Sequence, residues 1–184
     1  MTSTGSVEAR EHLRLFCALR LPDDVVAALE QWQAEHLRDG RIVPRAHLHL
    51  TLAFLGSRPA TELPAIAGAL RAAAGGAGEV VFTPNRYRET RSVGMLVLDE
   101  STGEAGRLAE RLFDRLESLG AYEREQRPWL PHVTVLRFRT RPKLEPPAPE
   151  LGMFSPSDAA VYISRLRPSG AQYDVLESVP LGGD

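Results

Sequence analysis

The chain has 184 residues, 43% of them hydrophobic, and a formal net charge of −2. That apolar content is enough for one packed domain and excludes global disorder, while the near-neutral charge excludes a protein that coats duplex nucleic acid through bulk charge. The single cysteine, Cys17, excludes an intrachain disulfide, and no apolar run reaches the roughly 20 residues of a membrane-spanning helix, so the expected compartment is the cytoplasm.

Residues 1–11 carry no hydrophobic pattern and read as a flexible tail, leaving 12–184 as the folded domain. "LRLFCAL" (13–19) predicts a buried strand, with Cys17 as a small buried hydrophobe and not a nucleophile. Pro22, Asp23 and Asp24 open a helix whose apolar stripe is Val25, Val26, Leu29, Trp32, His36 and Leu37, with Gly40 as its stop. "HLHLTLAFL" (47–55) alternates strictly: Leu48, Leu50, Leu52 and Phe54 on one parity, and His47, His49, Thr51 and Ala53 on the other. It predicts a strand with the leucines and Phe54 buried and the imidazoles on a wetter face.

A helix is predicted over 61–74, strands over 79–87 and 92–98, and a helix from Glu104 to about Leu119 with the stripe Ala105, Leu108, Leu112, Leu116 and Leu119. A strand over 127–138 is entered through two prolines, the Pro-rich 142–152 is a loop, and strands near 158–166 and 172–179 are joined by a hairpin at "RPSGAQ". The order is α+β with a mainly antiparallel sheet, not a parallel βαβ series. Of 22 basic residues only Lys143 is a lysine, which in a chain rich in alanine and glycine reads as compositional bias.

Two strands share a pattern, "HLTL" (49–52) and "HVTV" (132–135). Histidine at i and threonine at i+2 lie on one face of a strand. Two related halves, each giving such a strand to a shared cleft, bring two imidazoles and two hydroxyls around one spot. That combination suits a phosphate. Hydroxyls donate to its non-bridging oxygens, one neutral imidazole accepts a proton, and one charged imidazole returns a proton. Histidine serves both roles because its pKa, roughly 6.5, lies near neutrality.

These residues resemble the 2H phosphoesterase superfamily, and within it the RNA 2′,3′-cyclic phosphodiesterases historically called 2′-5′ RNA ligases. "RLFCALRLPDD" (14–24), "HLHLTLAFLG" (47–56), "RPWLPHVTVLR" (127–137) and "VYISRLRPSGAQYDVLESVPL" (161–181) are each similar to a stretch of that family. The resemblance implies a bilobal α+β fold, two mostly antiparallel sheets facing a central cleft, outer helices and a pseudo-twofold repeat. It implies metal-free hydrolysis of a 2′,3′-cyclic phosphate on RNA ends or small nucleotides to a 2′-phosphomonoester. The chain's size is compatible with a monomer, and no cofactor, membrane or obligate protein partner is expected. His49 would be the general acid, His132 the base, and Thr51, Thr134 and Arg137 the phosphate ligands. The pleat sets Arg137 on the wrong parity unless the strand ends or bulges before it; otherwise Arg137, Arg139 and Arg141 form a solvated stripe. His47 stands where relatives commonly carry an amide and is a candidate to contact substrate or tune His49; the strand at "RSVGML" (91–96) lacks an expected tryptophan, for which Phe16, Tyr87 and Trp129 are the candidate aromatic substitutes.

Two rival readings stay open. His47 and His49 have zinc-chelating spacing, with His132 as a third ligand, but the paired threonines then go unexplained. Alternatively the same cleft holds an RNA end without hydrolysing it, or joins a cyclic phosphate to a 5′-hydroxyl.

Overall fold

A computed structural model describes residues 11–182; the predicted tail lies outside them except for Glu11. The elements are β1 (His12–Arg20), α1 (Asp23–His36), β2 (Arg41–Ile42), β3 (His49–Pro59), α2 (Leu63–Gly75), β4 (Phe82–Glu89), β5 (Val93–Glu100), α3 (Glu104–Ser118), β6 (His132–Arg137), β7 (Asp158–Arg167) and β8 (Gly170–Val179). The sheet runs β4-β5-β6-β3-β1-β7-β8, with β2 also on β6, and the strand pairs are antiparallel.

The two expected sheets are therefore fused into one. A single ladder pair, Leu50 with Val133, joins β3 to β6. Farther along β6, Leu136 and Arg137 pair instead with Ile42 and Arg41 of β2. Strand β6 thus changes partner along its length, and the sheet opens between β3 and β2.

One face of the sheet carries the main core. Leu15, Cys17 and Leu19 of β1, Leu50, Leu52 and Leu55 of β3, and Val133, Val135 and Leu136 of β6 pack there with the helices. Helix α1 contributes Val25, Val26, Leu29 and Trp32, with Asp23 and Asp24 at its favoured end. Helix α2 contributes Ile66 and Leu70, and α3 contributes Leu108, Leu112 and Leu116. Leu119, predicted to finish that last stripe, lies beyond the helix end and is 46% exposed. The opposite face carries a smaller apolar cluster, Phe16, Ala18, Ala160 and Tyr162, with Tyr173 against it.

Strict alternation fails in β3 and β6 at corresponding places. In β3, Cys17 pairs with Ala53 but Ala18 with Thr51, so Leu52 is an extra residue. In β6, Gly94 pairs with Leu136 but Met95 with Thr134, so Val135 is extra. Each β-bulge buries two adjacent residues and returns the next one to the histidine–threonine face. Phe54, predicted buried, is consequently 49% exposed, and Ala53 is buried in its stead. The predicted strand also starts two residues later: His47 belongs to a short 3-10 turn, Arg45–His47.

Buried Gln33 of α1 secures the second bulge. Its Nε2 donates to the carbonyls of Val43 (3.0 Å) and of the bulge residue Val135 (2.9 Å). Gly40 fits against the same strand: a Cβ there would lie 2.8 Å from the Arg137 carbonyl oxygen. Gln33→Leu strips both buried carbonyls of this donor and is expected to lower stability by about 1–3 kcal/mol, read as an earlier urea midpoint with an unchanged slope.

Candidate active site

The pair Leu50–Val133 fixes what lies around it. Extended one residue each way, the antiparallel register sets His49 opposite Thr134 and Thr51 opposite His132. Leu50 and Val133 point into the core, so these four side chains share the other face. The imidazoles occupy one diagonal of the square and the hydroxyls the other, with diagonal neighbours about 7–8 Å apart.

Both rings are held alike. The Nδ1–H of His49 donates to the His47 carbonyl (2.9 Å), and that of His132 donates to the Leu130 carbonyl (2.8 Å). Each histidine uses the carbonyl two residues upstream, which fixes the tautomer and leaves Nε2 as the nitrogen for chemistry. In His49 that nitrogen accepts from the Thr51 hydroxyl (2.9 Å).

Two cavities meet at this square. The first, of about 250 Å³, is lined by Arg41, His47, His49, Thr51, Thr134 and Arg137, with Phe16, Phe54 and Tyr173 as aromatic walls. The second, of about 650 Å³, has His132, Thr51 and Phe54 in its lining, along with Trp129, Tyr122 and Arg88. Trp129 Nε1 donates to the Thr51 carbonyl (3.1 Å), tying the loop before β6 to β3.

The chain matches the 2′-5′ RNA ligase superfamily over residues 21–167. It belongs to that superfamily. It is 32% identical to the RNA 2′,3′-cyclic phosphodiesterase of Thermus thermophilus, over 94% of this chain and 92% of that one. The Escherichia coli protein of the same name is 28% identical over 91% of this chain and 96% of its own length. Among solved structures, Thermus thermophilus TT0787 superposes with a TM-score of 0.79 at 31% identity, over 94% of this chain and 100% of that one. Escherichia coli LigT complexed with 3′-AMP superposes at 0.79 with 25% identity, over 94% and 99%.

In this superfamily member the bulge in β6 answers the parity question about Arg137. The extra residue turns it onto the face of His132 and Thr134, where it lines the first cavity. The alternative stripe does not form, because Arg141 instead pairs with the buried Glu89 (3.1 Å), whose carboxylate also accepts from the backbone of Lys143 and Leu144. His47 stacks on Tyr173 with ring centroids 4.2 Å apart. Phe16 is almost fully covered, 4.9 Å from the His49 ring and stacked on Tyr162. Tyr87 packs in the main core, where its ring fills the space a side chain on Gly94 would need. Among the described residues no three His, Cys, Asp or Glu side chains gather into a metal-ligating group, so the zinc set of His47, His49 and His132 does not assemble. None of the described helices is long and apolar enough to cross a membrane.

Among the lining residues that sequence reasoning missed are Phe54, Tyr173 and Arg41. Phe54 had a legible signal. Residues 49, 51 and 54 repeat the spacing of 132, 134 and 137, so Phe54 is the counterpart of Arg137 in the other half. Tyr173 arrives through the β7–β8 hairpin, and Arg41 through a two-residue strand too short to leave a pattern.

Burial against the smaller apolar cluster lowers the pKa of His49 from 6.5 to about 4; the hydrogen bond to the His47 carbonyl opposes this, while the Arg137 guanidinium and the neighbouring rings of His47 and His132 push the same way as burial. His47 is lowered too, first by burial and then by Arg137 and Arg41. Between these two values the unfolded chain takes up a proton at His49 that the folded one refuses. Its contribution to stability is therefore complete above pH 6.5 and is lost as pH falls toward about 4. His49→Gln is expected to flatten that part of the stability profile, measured as the difference in urea midpoints between pH 7.5 and pH 4.5.

Proposed function

We propose that this chain hydrolyses the 2′,3′-cyclic phosphate of RNA ends or nucleotides to a 2′-phosphomonoester, without a metal ion, by paired-histidine acid–base catalysis. The observation that carries this reading is the square of His49, Thr134, His132 and Thr51 around one ladder pair, with each imidazole's Nδ1 tied to backbone. The superfamily membership and the names of the two bacterial relatives support the same reaction.

The phosphorus would sit between the two diagonal imidazoles, its non-bridging oxygens accepting from the Thr51 and Thr134 hydroxyls and from Arg137. His132 Nε2 takes a proton from water as the water oxygen bonds to phosphorus. The bond from phosphorus to O3′ breaks, and His49 Nε2–H gives its proton to that oxygen. The products are a 3′-hydroxyl and a 2′-phosphate, and proton exchange with solvent resets both rings. The acid and base assignments follow the family resemblance.

His49 is neutral in the free cleft at pH 7, since its pKa is about 4. An anionic phosphate beside it favours the charged ring and raises that pKa. Substrate therefore helps load the proton that the departing oxygen receives. A general acid works only while it holds its proton, so the alkaline limb of kcat, which reports the substrate complex, is expected at higher pH than the alkaline limb of kcat/KM, which reports the free enzyme.

A second reading, transfer of the cyclic phosphate to a 5′-hydroxyl, is favoured by one observation. The cavity on the His132 side, the side of the attacking oxygen, is about 650 Å³, far more than water needs. Assays with an added 5′-hydroxyl strand measure the partition between hydrolysis and joining.

The decisive experiment is turnover of a 2′,3′-cyclic nucleotide in excess chelator, with phosphorus NMR reading the product. A 2′-phosphate is expected, with His49→Ala and His132→Ala each reducing kcat by about 10²–10⁴-fold. The double variant should fall little below either single one, because the pair acts as a unit. A double variant reduced by the product of the two single losses would contradict the mechanism. Arg137→Gln should cost roughly 10–100-fold, the range for one charge-assisted hydrogen bond.

A further inference from the structure

We propose that Arg41 binds a second phosphate, the one on the 5′ side of the terminal ribose, so that the site selects an RNA end over a nucleoside cyclic phosphate. This rests on the function proposed above. Strand β2 is only two residues long, yet its register sets Arg41 directly opposite Arg137 of β6. Directly opposed side chains of an antiparallel pair share a face, and like charges there repel. Among the described residues no carboxylate answers either guanidinium, whereas Arg20, Arg58, Arg71, Arg124 and Arg141 all have acidic partners. Two unanswered, facing guanidinium groups that line one cavity are a site for anions.

The reacting phosphate does not need both. Its non-bridging oxygens already have Thr51, Thr134 and Arg137, and Arg137 is the guanidinium that continues the His132–Thr134 strand. Arg41 lies one strand farther out, on the same cavity as His49 and the aromatic walls Phe16 and Tyr173. In the proposed reaction the departing O3′ faces His49, so the terminal ribose sits on that side of phosphorus. The chain phosphate attached to that ribose is the one further anion an RNA end brings there, and a nucleoside cyclic phosphate lacks it. The close approach of β2 to β6, where Gly40 leaves no room for a side chain beside the Arg137 carbonyl, keeps the two guanidinium groups together.

The test compares kcat/KM for adenosine 2′,3′-cyclic phosphate with that for the same compound carrying a 5′-phosphate, in wild type and in Arg41→Gln. Wild type is expected to prefer the 5′-phosphorylated substrate by on the order of tenfold, the lower end for a charge-assisted hydrogen bond at an open site, and Arg41→Gln to bring the ratio near one. Added salt should erode the wild-type preference, since the second contact is ionic. The proposal is overturned if wild type shows no preference, or if Arg41→Gln leaves the ratio unchanged. Failure of the underlying function is distinct from both: wild type would then hydrolyse neither compound.

Discussion

One backbone contact carries the site. Leu50 and Val133 are the sole ladder pair between β3 and β6 among the described residues, and both are buried in the core that the helices cover. Packing of two aliphatic side chains on one face thereby sets the relative position of two imidazoles and two hydroxyls on the other. The chemistry is positioned by rigid strands and not by loops, which suits a reaction that depends on orientation more than on an unusual functional group.

The same contact lies where the sheet opens. Past Val133 strand β6 bulges, exchanges β3 for β2, and delivers Arg137 to the cleft, while β3 bulges at the matching point and delivers Phe54. The two halves therefore share a device but place different chemistry with it: a cation on one side and an aromatic ring on the other. The electrostatic setting follows from the same layout. Apolar packing around Phe16 and Tyr162, together with the unanswered positive charges of Arg41 and Arg137, disfavours a proton on the neighbouring imidazoles of the empty cleft. An anion reverses that balance.

Much of this was legible in the sequence. The paired His-x-Thr motifs stood on short alternating runs, and the helical stripes of Val25, Val26 and Leu29, and of Leu108, Leu112 and Leu116, mark buried faces with little ambiguity. The bulges were not legible, because one inserted apolar residue, Leu52 or Val135, leaves a run that still reads as strand. Alternation therefore put Phe54 in the core and Arg137 on the far side. Spacing between the halves held the correction, since only a shared irregularity keeps 49-51-54 and 132-134-137 in step. The fusion of the two sheets and the arrival of Arg41 and Tyr173 depend on contacts distant in sequence, for which no local pattern exists.

The Leu50–Val133 contact lets two imidazoles address one phosphorus in the proposed reaction. A crystal structure with the 2′-nucleotide product or vanadate bound tests it directly. The Nε2 atoms of His49 and His132 are both expected within about 2.6–3.2 Å of oxygens on a single phosphorus or vanadium centre. A ligand bound at one imidazole, with the other ring turned away or reaching only solvent, would contradict it.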